Sequence, residues 1–215
     1  MMKVEQVDEH DTVFDRHDPT FRVFVYEGTT NAVTVHAITD CSVEQALEAA
    51  EMLSRRNELL WSLAVVLEAQ GPGLNWISGT DYRDRPGRNA SRWRLRRQMQ
   101  DRYLSARSMR GEPLLLPDGL RRIRMFPEWT GGLSLWESFS DHYPCEPGEL
   151  PIPQELEQRL IEWNLEWESY GLDAERPESW TDRGWTLYER LQLALAGCAE
   201  VSPDFDQRTR IGPVS

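Results

Sequence analysis

Lysine is all but missing from this chain. Lys3 stands alone against 23 arginines, so nearly every cation is a guanidinium, the group that forks onto carboxylates and phosphates. Cysteine is scarce too. Cys41, Cys145 and Cys198 are odd in number and far apart, which argues against a disulfide-framed secreted scaffold and fits reduced thiols in a cytoplasm. Long apolar runs are lacking. Leu59 to Leu67, broken only by Ser62, is of strand length and far below the ~20 residues of a membrane helix, so no membrane association is expected. The first residues are acidic (Glu5, Asp8, Glu9, Asp11), with no basic region leading into an apolar one, so no signal peptide is read. There is no P-loop, dinucleotide glycine fingerprint, nucleophile elbow or paired-histidine zinc motif. Gly71-Pro72-Gly73 is too short to cradle a phosphate and reads as a turn.

What the chain has is a foldable core. Its 215 residues are 40% hydrophobic and include nine tryptophans, enough for one domain or two small lobes. Residues 152 to 170 organise the second half. Ile152, Leu156, Leu160, Trp163, Trp167 and Tyr170 recur in steps of three and four, which is one face of an α-helix. Pro153 suits its first turn and Gly171 its C-terminal cap. Glu155, Glu157, Glu162, Glu166 and Glu168 then form a solvated face.

Earlier in the chain, Phe21 to Glu27 and Val33 to Ile38 alternate around Gly28-Thr29-Thr30-Asn31, predicting a β-hairpin. Asp40 to Asn57 reads as a helix, with Ser42 and Gln45 spaced as a capping box. Trp61 to Leu67 suits a central strand covered on both faces, and Leu74 to Ile77 a short partner. A helix follows over about 91–109, with Leu95, Met99, Tyr103 and Ala106 inward and its arginines on the outer part. Gly119 to Phe126 reads as a strand with one basic face, and a last helix runs over about 177–196. The expected fold class is α+β: a mixed or antiparallel sheet with packed helices over 19–126, then a Trp- and Pro-rich, mainly helical lobe over 127–202. Residues 1–18 and 203–215 read as flexible tails.

The pattern Trp129…Leu135-Trp136…Glu149-Leu150-Pro151-Ile152-Pro153…Leu156…Leu160…Trp163, followed by a helix containing Gly184 and ending at Gly197, resembles uncharacterised small actinobacterial soluble proteins. The resemblance covers residues 127–202 at most and rests on hydrophobic and turn positions. It implies a cytoplasmic module of protein-interaction or immunity settings and brings no catalytic residue with it.

Candidate chemistry is sparse. His142 and Cys145 are the one His/Cys pair at ligand-like spacing, but zinc needs three or four ligands and no second pair accompanies them, so no metal and no cofactor are expected. Asp81 follows a strand end and could serve as a base with a carboxylate such as Glu128 or Asp141, which would make a small enzyme. A hydrogen-bonded turn is the favoured reading of that position. The strongest anomaly is charge. Net charge is −12, yet residues 83–124 hold thirteen arginines against Asp84, Asp101, Glu112 and Asp118, leaving about −21 elsewhere. Arg92, Arg96, Arg97, Arg121, Arg122 and Arg124, with Trp129 and Trp136, are therefore the candidate binding residues. They could meet nucleic acid or a phosphorylated ligand. The acidic remainder favours the other reading, in which carboxylates of the same chain or of a protein partner take up the arginines. The leading expectation is a non-enzymatic, cytoplasmic protein-binding module of immunity, inhibitor or adaptor type.

Overall fold

Alternating apolar residues open the fold. The computed structural model describes residues 19–67, 73–129, 131–141, 143–171 and 176–206. Strand β1 (Phe21–Glu27) turns through Gly28–Asn31 into β2 (Ala32–Ile38). With β3 (Leu60–Leu67) and β4 (Gly73–Ser78) they form an antiparallel sheet in the order β2-β1-β3-β4. Alternation in β1 splits its side chains between two cores. Phe21, Val23 and Val25 meet helix α1 (Val43–Leu53), while Phe24 and Tyr26 meet helix α2 (Ala90–Met109). Cover on both faces is why β3 is apolar at every position but Ser62.

The capping box forms as expected: Gln45 N–H donates to Ser42 Oγ, and Ser42 N–H to Gln45 Oε1. Helix α1 ends at Leu53 rather than at Asn57. Arg55, Arg56 and Asn57 all take left-handed backbone, with φ of 54°, 56° and 68°. Asn57 Oδ1 there accepts from Trp61 Nε1 at 2.7 Å, tying the turn to the next strand.

The second half contains a sheet that hydrophobic periodicity did not signal. Strands β5 (Arg121–Met125), β6 (Leu135–Trp136) and β7 (Ala199–Pro203) pair in the order β6-β5-β7, with β5 and β7 parallel. Ile123 and Met125 of β5 and Ala199 and Val201 of β7 face helices α3 (Gln154–Ser169) and α4 (Glu178–Ala194) in one apolar core. The fold is thus α+β, layered as α1, first sheet, α2, second sheet, then α3 with α4. Two expected boundaries move. Strand β5 belongs to the second sheet, not to a lobe ending at 126. Residues 203–206 are not tail, because Pro203 closes β7 and Asp204, Phe205 and Asp206 are buried. The expected tail over 1–18, the Gly71-Pro72 turn and residues 207–215 lie outside the described residues.

Helix α3 buries Leu156, Leu160 and Trp163 as its spacing predicts. Its Glu face has one exception, since Glu157 is buried and its Oε1 accepts from Gly148 N–H at 2.7 Å. Trp163 stacks on Trp180 of α4, with centroids 4.4 Å apart and planes 10° apart. Each indole N–H donates to the other residue's carbonyl at 3.1 Å, so both polar edges are satisfied in the core. Phe205 meets Trp163 edge-on at 5.3 Å. Gly184 makes room for it: a Cβ there would lie 2.7 Å from Phe205 Cε2. No helix among the described residues is long and apolar enough to cross a membrane.

Candidate functional site

Helix α2 carries the arginines, and its position between two sheets decides their fate. One flank, with Met99, Tyr103 and Leu104, packs on the first sheet. The other meets the polar face of the second sheet, where parallel register places Arg122 beside Glu200 and Arg124 beside Ser202. Arg96 and Arg97 therefore point inward, not onto the outer part of the helix as expected. Arg96 is 3% exposed and Glu200 2%, and they form a fork: Nε to Oε1 at 2.8 Å and Nη2 to Oε2 at 2.6 Å. Gln100 Nε2 adds a third bond to Glu200 Oε1 at 2.6 Å. The Arg96 guanidinium also lies 3.9 Å above the Tyr82 ring and donates to the Tyr82 carbonyl.

Asp204 closes the layer by bridging α2 and β5. Its Oδ1 meets Arg97 Nη1 at 2.8 Å and its Oδ2 meets Arg124 Nε at 2.6 Å. Arg122, also buried, reaches Asp101 Oδ1 through Nη1 at 2.5 Å. Burial alone would raise the Glu200 carboxyl, but the Arg96 hydrogen bonds and charge outweigh it and hold the group below its ordinary value. Burial works against the Arg96 cation as well, and the same pairing raises it nonetheless. Arg102 shows the contrast. It donates to Ser78 Oγ and the Trp61 carbonyl and lies over the Trp61 ring, and burial pulls it down to about 10.

The remaining candidates scatter. Arg121 forks onto Glu137, at 2.9 and 2.7 Å. Arg92 stays near the surface, 3.4 Å from Asp84. Trp136 is buried beneath Phe126, and Trp93 and Tyr82 are interior as well. Trp129 is 48% exposed and leans on Trp167. The structure thus brings Arg96, Arg97, Arg122 and Arg124 together, but around carboxylates of their own chain. Asp81 is taken by Arg83, whose Nη2 lies 2.9 Å from Oδ2; that hydrogen bond holds the carboxyl below its usual value. Glu128 is placed elsewhere, its backbone clamped at both N–H and carbonyl by the Asn164 side chain on α3. His142 lies outside the described residues. Cys145 is a free thiol in the core, pushed up to about 12, first by burial and then by Glu149 and Glu137.

A surface of which the sequence singled out only Arg124, Trp129 and Trp136 lies along 124–143. Arg124 sits 4.8 Å from the Phe126 ring, Phe126 stacks on Trp136 at 4.9 Å, and Tyr143 packs on Trp136 at 4.9 Å. Strand β6 continues as a hairpin, with Glu137 N–H donating to the Tyr143 carbonyl and Cys145 N–H to that of Leu135. Phe139 stands in the hairpin loop, 40% exposed, in left-handed backbone with φ of 68°. A bulky side chain in that conformation costs energy and persists only where the surrounding structure imposes it. Asn164 steadies the base of this region: its Oδ1 accepts from Glu128 N–H and Ser134 Oγ, both at 2.8 Å. The clues in sequence were weak, a cluster of aromatics among prolines without a period. No family model matches the chain, and no curated protein or solved structure matches it either.

Proposed function

We propose that the protein is a non-enzymatic protein-binding module, of immunity, inhibitor or adaptor type, that engages a basic partner surface through the aromatic rim of residues 126–143. The observation that carries this reading is Phe139, an exposed ring held on a hairpin loop in a costly backbone conformation. Trp129 and Tyr143, also exposed, lie on the same segment. Rigid aromatics on a supported loop are the residues that dominate binding energy at protein interfaces. The net charge of −12, with Arg96, Arg97, Arg122 and Arg124 paired with carboxylates of the same chain, leaves a surface suited to a cationic partner and to fast, salt-sensitive association. The same pairing weakens the case for nucleic acid, since Arg96, Arg97 and Arg122 are not at the surface.

Capture from the native cell tests the proposal. The immobilised protein should retain a basic partner that elutes as salt rises. Phe139→Ala should weaken retention about 30-fold or more, the loss of one interface hot spot, with unchanged melting. Retention that is indifferent to both Phe139→Ala and Trp129→Ala would refute the assignment of this rim. Micromolar binding of DNA or RNA at physiological salt would refute the protein-partner reading.

A further inference from the structure

The cleft between α3 and α4 lies apart from the aromatic rim and has a chemistry of its own. It encloses about 420 Å³, within the ~300–1,000 Å³ usual for small-molecule sites. Trp163 and Leu187 form its apolar floor, and arginines rise from both walls, Arg159 from α3 and Arg183 and Arg190 from α4. Arg183 is committed to Glu166, which also accepts from the Tyr170 hydroxyl. Arg159 and Arg190 are not committed in this way. Both reach for one oxygen, Glu155 Oε1, at 2.9 and 3.7 Å. A guanidinium offers five N–H donors, so a single shared oxygen leaves most of that capacity unused. Glu155 is itself 66% exposed, and such solvated surface pairs contribute little. Its carboxylate is a weakly held anion between two cations contributed by different helices.

We propose that this cleft binds a small organic anion, whose carboxylate or phosphate group replaces Glu155 between Arg159 and Arg190 while its apolar body lies on Trp163 and Leu187. Glu162 and Glu166 on the α3 wall confine negative charge to the Arg159–Arg190 end and disfavour a second anionic group deeper in the cleft. The site owes nothing to the partner surface proposed above, and neither reading depends on the other.

Calorimetric titration at low ionic strength with 1-naphthoate, 1-naphthyl phosphate, neutral 1-naphthol and inorganic phosphate tests this. One or both aryl anions should bind, and the tighter of the two identifies the preferred anionic group. Naphthol and inorganic phosphate should each bind at least about tenfold more weakly, since each lacks half of the recognition. Arg159→Gln and Arg190→Gln should each weaken the aryl anion about tenfold, and Glu155→Gln should tighten it by a similar factor by removing the competitor. The Arg159, Arg190 and Glu155 side chains are 53%, 42% and 66% exposed, so the melting curves should match that of the unmodified protein. No aryl-anion binding at millimolar concentration, even to Glu155→Gln, would overturn the proposal. So would affinity unchanged in Arg190→Gln, or naphthol binding as tightly as the anions.

Discussion

Glu200→Gln should lower stability by about 3–5 kcal/mol, the cost of leaving a buried cation without its counter-ion. The substitution keeps the shape of the side chain but removes the charge that the Arg96 fork and Gln100 both address. Arg96, 3% exposed, cannot turn to water for compensation. Replacing both partners with apolar residues of similar volume should recover much of the loss, because it abolishes the desolvation cost along with the attraction. Arg92→Gln is the control. Its partner Asp84 is exposed, so its effect should stay within about 0.5 kcal/mol. The pair also has a pH signature. The folded-state Glu200 carboxyl is held below its ordinary value of 4.5. A depressed carboxyl contributes stability that is fully present above the unfolded value and is lost as pH falls through the folded one. Acid melts of the unmodified protein should therefore lose this contribution only beneath the normal carboxylate range, and Glu200→Gln should flatten that part of the profile.

Trp163→Ala should cost a similar amount, about 3–5 kcal/mol, for a different reason. It removes a buried indole stacked on Trp180 and edge-on to Phe205, together with that indole's own N–H bond to the Trp180 carbonyl. Glu162→Ala, one residue before it on the solvated side of α3, should leave the melting temperature nearly unchanged. Thermal melts of the two variants side by side check this, and equal small shifts would show that this face of α3 is not core.

Those two residues also mark how far the sequence could be read. Trp163 was legible because a single buried face repeats every three to four residues, and helices α1, α3 and α4, the β1–β2 hairpin and the capping box at Ser42 followed from equally local rules. Glu200 was not. Strand β7 reads Ala-Glu-Val-Ser-Pro, and its alternating Glu and Ser imitate a solvent-facing edge. They are buried only because arginines far away in sequence meet them. The same long-range pairing hid the inward turn of Arg96 and Arg97, although Trp93, Arg96, Gln100 and Tyr103 do share a helical stripe once charge is set aside. Asn164 and Phe139 carried no pattern at all. One acts through a four-bonded amide and the other through a backbone angle, and neither leaves a periodic trace.

The central claim is that Arg96 and Arg97 of α2, with Arg122 and Arg124 of β5, join the two sheets from within and are not a surface for ligand. Arginine-selective labelling with phenylglyoxal, read residue by residue by mass spectrometry, tests it most directly. In the native protein Arg96, Arg97 and Arg122 should be protected while Arg94, exposed on the same helix, reacts freely, and all four should react alike in denaturant. Native-state labelling of Arg96 and Arg97 at the rate of Arg94 would contradict the account.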